Sequence, residues 1–142
     1  MTVVVGYVPT PEGRAALRRA AEETVLRRSR LVVVLGERGR GFGDRSAQEP
    51  QDAQEQLTTI SEELDAAGVA HEVRRGDGSD PAEGLLAVAE ELAAEVLVIG
   101  LRRRSPVGKL ILGSNAQRIL LDAPCPVLAV KSSPGEAAVP QD

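Results

Sequence analysis

Five short apolar runs alternate with stretches in which apolar residues recur every three or four positions. Residues 2–8 are β-branched and apolar on both faces, which predicts a strand buried within a parallel sheet. Thr10, Pro11 and Glu12 then supply a capping side chain, a proline at the first helical position and an acid in the first turn. Leu17, Ala20, Ala21, Thr24 and Val25 form the expected inward stripe of that first helix. Residues 31–35 read as the second strand. Residues 37–50, rich in glycine and charge, read as a surface loop, with a lid over a ligand as the functional alternative.

Ala53, Leu57, Ile60, Leu64 and Ala67 step by four, three, four and three, the spacing of an amphipathic helix, and Gly68 closes it. Residues 69–73 form a weaker third strand. Asp80-Pro81-Ala82-Glu83 is a capping box with proline at the first helical position, and the helix it opens is expected to bury Leu85, Leu86, Ala89 and Leu92. Strand four is placed at 96–99, helix four at 114–121 and strand five at 127–130, after Pro124-Cys125-Pro126. Regular β-α alternation with apolar strands implies an α/β fold, a doubly wound five-stranded parallel sheet with helices on both faces. At 142 residues the chain suits one domain, assigned to residues 1–131, with residues 132–142 as a flexible tail. In such folds ligands lie beyond the carboxyl ends of the strands, where strand order reverses. If strands 1 and 4 are the central neighbours, the segments 7–10 and 100–113 face each other across that crevice.

Composition narrows the function. The one cysteine, Cys125, excludes an internal disulfide and a cysteine-rich metal centre, and fits a cytoplasmic location. No apolar run approaches the roughly 20 residues that span a bilayer, so no membrane role is expected. Residues 1–5 lack the basic start and longer apolar core of a signal peptide. A net charge of −4, one Phe, one Tyr and no Trp argue against nucleic-acid binding, for want of both positive field and stacking platforms.

One segment departs from this acidic background. Residues 100–114 read GLRRRSPVGKLILGS and carry Arg102, Arg103, Arg104 and Lys109 with no acid. Setting these four cations aside from the net −4 leaves about −8 on the rest of the chain. Gly100 permits close approach of another chain or a ligand, and Gly113-Ser114 offers amides and a hydroxyl at a helix N-terminus, where anions are stabilised. The segment suits phosphate. It is not a Walker A loop, which would need glycine at position 103 and Ser or Thr at 110, where Arg103 and Leu110 stand. No G-x-G-x-x-G follows strand 1, and Gly6-Tyr7-Val8 lacks the acids of a response-regulator receiver. Phe42 and Tyr7 are too few aromatics to flank a flavin.

The order of motifs resembles the universal stress proteins. That family carries G-x2-G-x9-G-[S/T] after strand 4, and Gly100, Arg103 and Gly113-Ser114 occupy this frame with the same spacing. VVVGYVPTPEGRAAL at 3–17, DPAEGLLAVAEE at 80–91 and APCPVLAV at 123–130 are similar to the family's opening, third helix and closing strand. The resemblance implies a Rossmann-like sheet of order 3-2-1-4-5, homodimers, and ATP or AMP binding in one branch of the family, with magnesium as a possible companion of ATP. The implied nucleotide contacts are Gly6, Tyr7, Val8, Ile99, Gly100, Arg102, Arg103, Gly113, Ser114 and Asn115. Two positions depart from the nucleotide-binding pattern. Arg103 replaces the second glycine, and Val8 stands where an acid commonly ends strand 1. The rival expectation is a dimeric regulator of the same fold that binds no nucleotide. A weaker rival, an enzyme related to the adenine α-hydrolases, lacks its glycine-serine loop after strand 1.

The remaining candidates carry no catalytic set. His71, the only histidine, is expected to be partly exposed, and Cys125 buried and inert. Glu62-Glu63 and Glu90-Glu91 lie on helix faces that meet solvent and have no acid–base geometry. Binding rather than catalysis is therefore expected, with any ATP hydrolysis slow and incidental. The apolar strand at 127–130 would leave an adhesive sheet edge, and pairing it with a second subunit would cover it, so a homodimer is expected.

Overall fold

Strand alternation sorts the apolar side chains onto two faces and so creates two cores. In β1 (Thr2–Tyr7), Val3, Val5 and Tyr7 enter the first core while Val4 enters the second. Helix α1 (Pro11–Arg27) follows, then β2 (Arg30–Leu35), whose Leu31 and Val33 join the first core and Val32 and Val34 the second. α2 (Pro50–Ala66) and α1 cover the first core through Ile60, Leu64, Ala16, Leu17 and Ala20. After β3 (His71–Arg75), helix α3 (Pro81–Glu91) covers the second core through Ala82, Leu85 and Ala89. β4 (Val96–Leu101) divides its side chains as β1 does. Helix α4 (Ser114–Asp122) adds Ala116 and Ile119 to the second core before β5 (Val127–Lys131). A computed structural model describes residues 1–35, 50–75, 80–101 and 113–132.

The five strands are parallel in the order β3-β2-β1-β4-β5. Consecutive strands β1 to β3 run outward in one direction, and the chain then returns past β1 to lay down β4. β1 and β4 are therefore neighbours from opposite halves, in register Val3 with Val96 and Val5 with Val98. The switch point lies between their carboxyl ends, the arrangement the family resemblance implied. Full burial of a valine or leucine contributes about 1.5–3 kcal/mol. The three central strands, apolar on both faces, thus carry most of the sheet's stability.

The element boundaries differ from the sequence reading where packing outweighs pattern. Val25 belongs to the predicted inward stripe, yet it is 58% exposed; Ala16 is fully buried instead. The inward face of α1 follows Ala16, Leu17, Ala20 and Thr24, and Val25 has turned past it. The third strand begins two residues later than expected because Val69 packs into the first core before pairing starts at His71. Gly68 has φ +75, the left-handed conformation that lets α2 end there. Thr10 and Asp80 cap α1 and α3 as expected: the Thr10 hydroxyl accepts from the Gly13 amide at 3.0 Å, and Asp80 accepts from Ala82 at 2.8 Å. Apart from Pro50, the residues of the expected 37–50 loop lie outside those described, as does the tail beyond residue 132.

The two sheet edges differ in chemistry. Along β3, Glu72 bonds Arg30 at 2.8 Å and Arg74 at 2.7 Å, and Arg74 reaches Glu91 at 3.4 Å. The Arg74 hydrogen bond, with Arg30 assisting, holds the Glu72 carboxyl below its usual range. Such a charged edge resists pairing with another strand. β5 is apolar until Lys131, with Leu128 and Val130 half-buried against α1 and Ala129 exposed.

Candidate functional site at the β1–β4 crevice

The crevice floor is built by two close backbone approaches of α1. A side chain on Gly13 would drive its Cβ into the Val8 carbonyl oxygen and lie 2.9 Å from the Val8 carbonyl carbon. A Cβ on Gly100 would strike the Glu12 carbonyl oxygen and sit 3.3 Å from the Glu12 Cβ. The opening turn of α1 is thus wedged between the carboxyl ends of β1 and β4. The sequence points to another chain or a ligand against Gly100; the structure fills that space with the backbone of Glu12, from α1 of the same chain. Glu12 itself is buried in the first turn of α1, where the helix dipole favours a carboxylate.

The sequence-predicted contacts separate into two groups. Tyr7 and Ile99 are 3% and 1% exposed, their side chains lying in the first and second cores, so at these positions the backbone ends of β1 and β4 are what the crevice can present. Gly6 is buried between Val34 and the core, and Val8 packs half-buried on the second core. The Val8 side chain brings no oxygen to the end of β1. Among the described residues no group of three or more His, Cys, Asp or Glu could hold a metal.

Gly100, Gly113, Ser114 and Asn115 lie on the β4-to-α4 side. α4 opens at Gly113, which has no side chain to cap the helix, and its first internal bond runs from the Gln117 amide to the Gly113 carbonyl at 3.0 Å. The opening amides therefore face the carboxyl end of the sheet with no capping side chain at Gly113, unlike those of α1 and α3. Ser114 is exposed at the first helical position and Ala116 is anchored in the second core. Arg102, Arg103, Arg104 and Lys109 lie outside the described residues.

Two features escaped the sequence. The Tyr7 hydroxyl accepts a hydrogen bond from Arg14, one residue beyond Gly13, so the end of β1 and the start of α1 are tied by side chains as well as backbone. Burial pushes the phenol above its ordinary value, and the Arg14 charge and hydrogen bond pull it part of the way back. Arg118, one turn into α4, bonds Glu83 at 3.2 Å and approaches Asp80 at 3.6 Å and Asp122 at 3.9 Å. Neither pairing has a short-range sequence signal, except the i,i+4 spacing of Arg118 and Asp122.

His71 and the paired glutamates fall where expected, whereas Cys125 is half-buried rather than buried, because the flanking Pro124 and Pro126 lie exposed at the entry to β5. The His71 Nδ1 lies 3.0 Å from the Val69 carbonyl, and Asp65 is 3.7 Å away. Burial alone pushes the Cys125 thiol up, away from the reactive thiolate. Glu62, Glu63, Glu90 and Glu91 are exposed.

Because Tyr7 is the only tyrosine and tryptophan is absent, near-ultraviolet absorbance reads this one phenol. Its titration midpoint is expected above the usual value of about 10. Arg14→Ala should raise it further, since the pull of the guanidinium is lost. A proton held more tightly in the fold also means that this group's contribution to stability is lost as pH rises through the folded midpoint. An ordinary midpoint, unmoved by Arg14→Ala, would show the pairing absent in solution.

A parallel sheet with a central reversal defines the doubly wound class of α/β proteins. The pattern of the Universal stress protein family matches residues 1–131, and the chain belongs to that family. It is 43% identical over 130 residues to a universal stress protein of Mycolicibacterium smegmatis, covering 91% of this chain and 96% of that one. A solved universal stress protein from Archaeoglobus fulgidus superposes with a TM-score of 0.70 at 34% identity, covering 92% and 98% of the two chains. The structure of the universal stress protein from that organism in complex with dAMP superposes at 0.64 with 28% identity and the same coverage. No helix among the described residues is long and apolar enough to cross a membrane.

Proposed function

We propose that the protein binds an adenine nucleotide, AMP or ATP, at the β1–β4 crevice and acts by binding rather than catalysis in a stress-response or regulatory role. The observation that carries this reading is the α4 N-terminus: glycine at the cap position places no capping side chain where the helix opens at the switch point, the end of a helix that favours an anion. The dAMP complex of a relative with 28% identity supports an adenylate as the occupant. Arg102 and Arg103, next along the chain from β4, supply guanidinium charge for phosphate where Arg103 has displaced a glycine. Any magnesium would then be carried by the ATP phosphates themselves, since the Val8 side chain offers it no ligand.

Titration calorimetry with AMP, ATP and GTP tests the reading. Binding of AMP or ATP with accompanying thermal stabilisation is expected. No heat and no stabilisation from any of the three rejects it and leaves the regulator without nucleotide, which Val8 and Arg103 favour. The proposal includes a homodimer through residues 127–130, supported by the contrast between the charged β3 edge and the apolar β5 edge. Light scattering at tens of micromolar should give twice the monomer mass of 15.0 kDa; the monomer mass overturns the pairing.

A further inference from the structure

Arg118 stands one turn from the opening of α4 and pairs with three carboxylates. Ser114 and Arg118 are four residues apart and share a helix face, with a rise of about 6 Å between them. Asp80 and Glu83 come from the first turn of α3, and Asp122 from the end of α4. Asp80 is also the α3 cap, accepting from the Ala82 and Glu83 amides at 2.8 and 3.4 Å. The guanidinium is 41% exposed, so these ion pairs add little to stability. Their net charge is a different matter. Among the described residues, one guanidinium against three carboxylates leaves two negative charges in excess within this cluster, with Asp80 and Glu83 on α3 and Asp122 at the end of α4.

We propose that this cluster sets the affinity of the α4 N-terminus for phosphate, with Arg118 as the positioning cation and Glu83 and Asp80 as the brake on it. The inference rests on the anion site proposed above and concerns its regulation. Removing Arg118 deepens the negative field and weakens anion binding. Removing the Glu83 charge relieves that field and releases the guanidinium toward Ser114, so binding tightens. A charge at about 8 Å in a water-like medium changes affinity about two- to threefold per unit of ligand charge. The effect must therefore be larger for ATP than for AMP. A scaffolding role for the ion pairs predicts the opposite pattern, in which both substitutions weaken binding and do so equally for all ligands.

The test is a set of amide-resolved NMR titrations, following Ser114 and Ala116, with AMP, ATP and inorganic pyrophosphate. They are run on the wild-type chain, Arg118→Ala, Arg118→Lys and Glu83→Gln, with Asp80→Asn as a second neutralising variant that keeps a capping side chain. Expected are weaker binding for Arg118→Ala, near-recovery for Arg118→Lys, and tighter binding for Glu83→Gln and Asp80→Asn. All four differences should shrink as salt rises from low to about 0.5 M. Shifts with pyrophosphate and none with either nucleotide would overturn the adenylate assignment while the opposite signs of Glu83→Gln and Arg118→Ala upheld the charge control. Nucleotide binding with the two variants moving together, or not at all, would overturn the charge control alone. If no ligand moves Ser114 or Ala116 in any variant, both fall.

Discussion

Gly13→Ala should cost about 3 kcal/mol or more, and Gly100→Ala a comparable amount. By local rules the first of these ought to stabilise: alanine in a helix is favoured over glycine by roughly 1 kcal/mol. Tertiary geometry reverses the sign. At position 13 the new methyl would occupy the Val8 carbonyl oxygen, with the Val8 Cγ2 at 3.0 Å, so no rotamer change relieves it. At position 100 it would meet the Glu12 carbonyl, with the carbonyl carbon at 2.8 Å. In both cases backbone must move, and the backbone in question joins α1 to β1 and β4 at the centre of the sheet. Urea unfolding followed by circular dichroism reads the loss directly, and a fall in Tm of about 10 °C should accompany it. Wild-type stability in either variant would mean that α1 does not approach the strand ends this closely.

These glycines also mark the limit of what could be read from the chain. Two-sided apolar strands, the Thr10 and Asp80 caps and the alternation of elements are local signals, and each survives in the structure. The reversal between β1 and β4 came from the family resemblance, because alternation and right-handed crossovers leave several doubly wound orders open. Gly13 gave no signal because its requirement comes from β1, and a glycine in a first helical turn is unremarkable by itself. Gly100 was flagged for the right physical property, but whether chain or ligand fills the space depends on where α1 lands. Val25 failed for a related reason. A stripe read at 3.6 residues per turn cannot tell which edge of the apolar face the sheet will accept, and here Ala16 and Ala20 are the residues fully buried. The Tyr7–Arg14 and Glu83–Arg118 pairs join separate elements, so only the assembled fold brings them together.

Gly113→Asp should separate stability from binding. The backbone at 113 makes no demand for glycine: its φ of −70 and ψ of 166 are open to any residue. As a helix cap, aspartate is at least as good as glycine, and its charge at the N-terminus adds a favourable dipole interaction of about 0.3–1 kcal/mol. The variant should therefore be as stable as the wild type, or up to about 1 kcal/mol more so. The same carboxylate would satisfy the opening amides of α4 and place a negative charge where the phosphate is to rest. Nucleotide affinity should fall at least about tenfold, the loss of a single well-made charged contact. Parallel measurement of urea unfolding and of AMP or ATP binding decides the matter. A variant that is more stable and no longer binds identifies the bare cap as a functional feature, retained at some expense in helix stability. Undiminished binding would move the phosphate away from α4, and a coupled loss of both properties would make Gly113 a structural residue like Gly13.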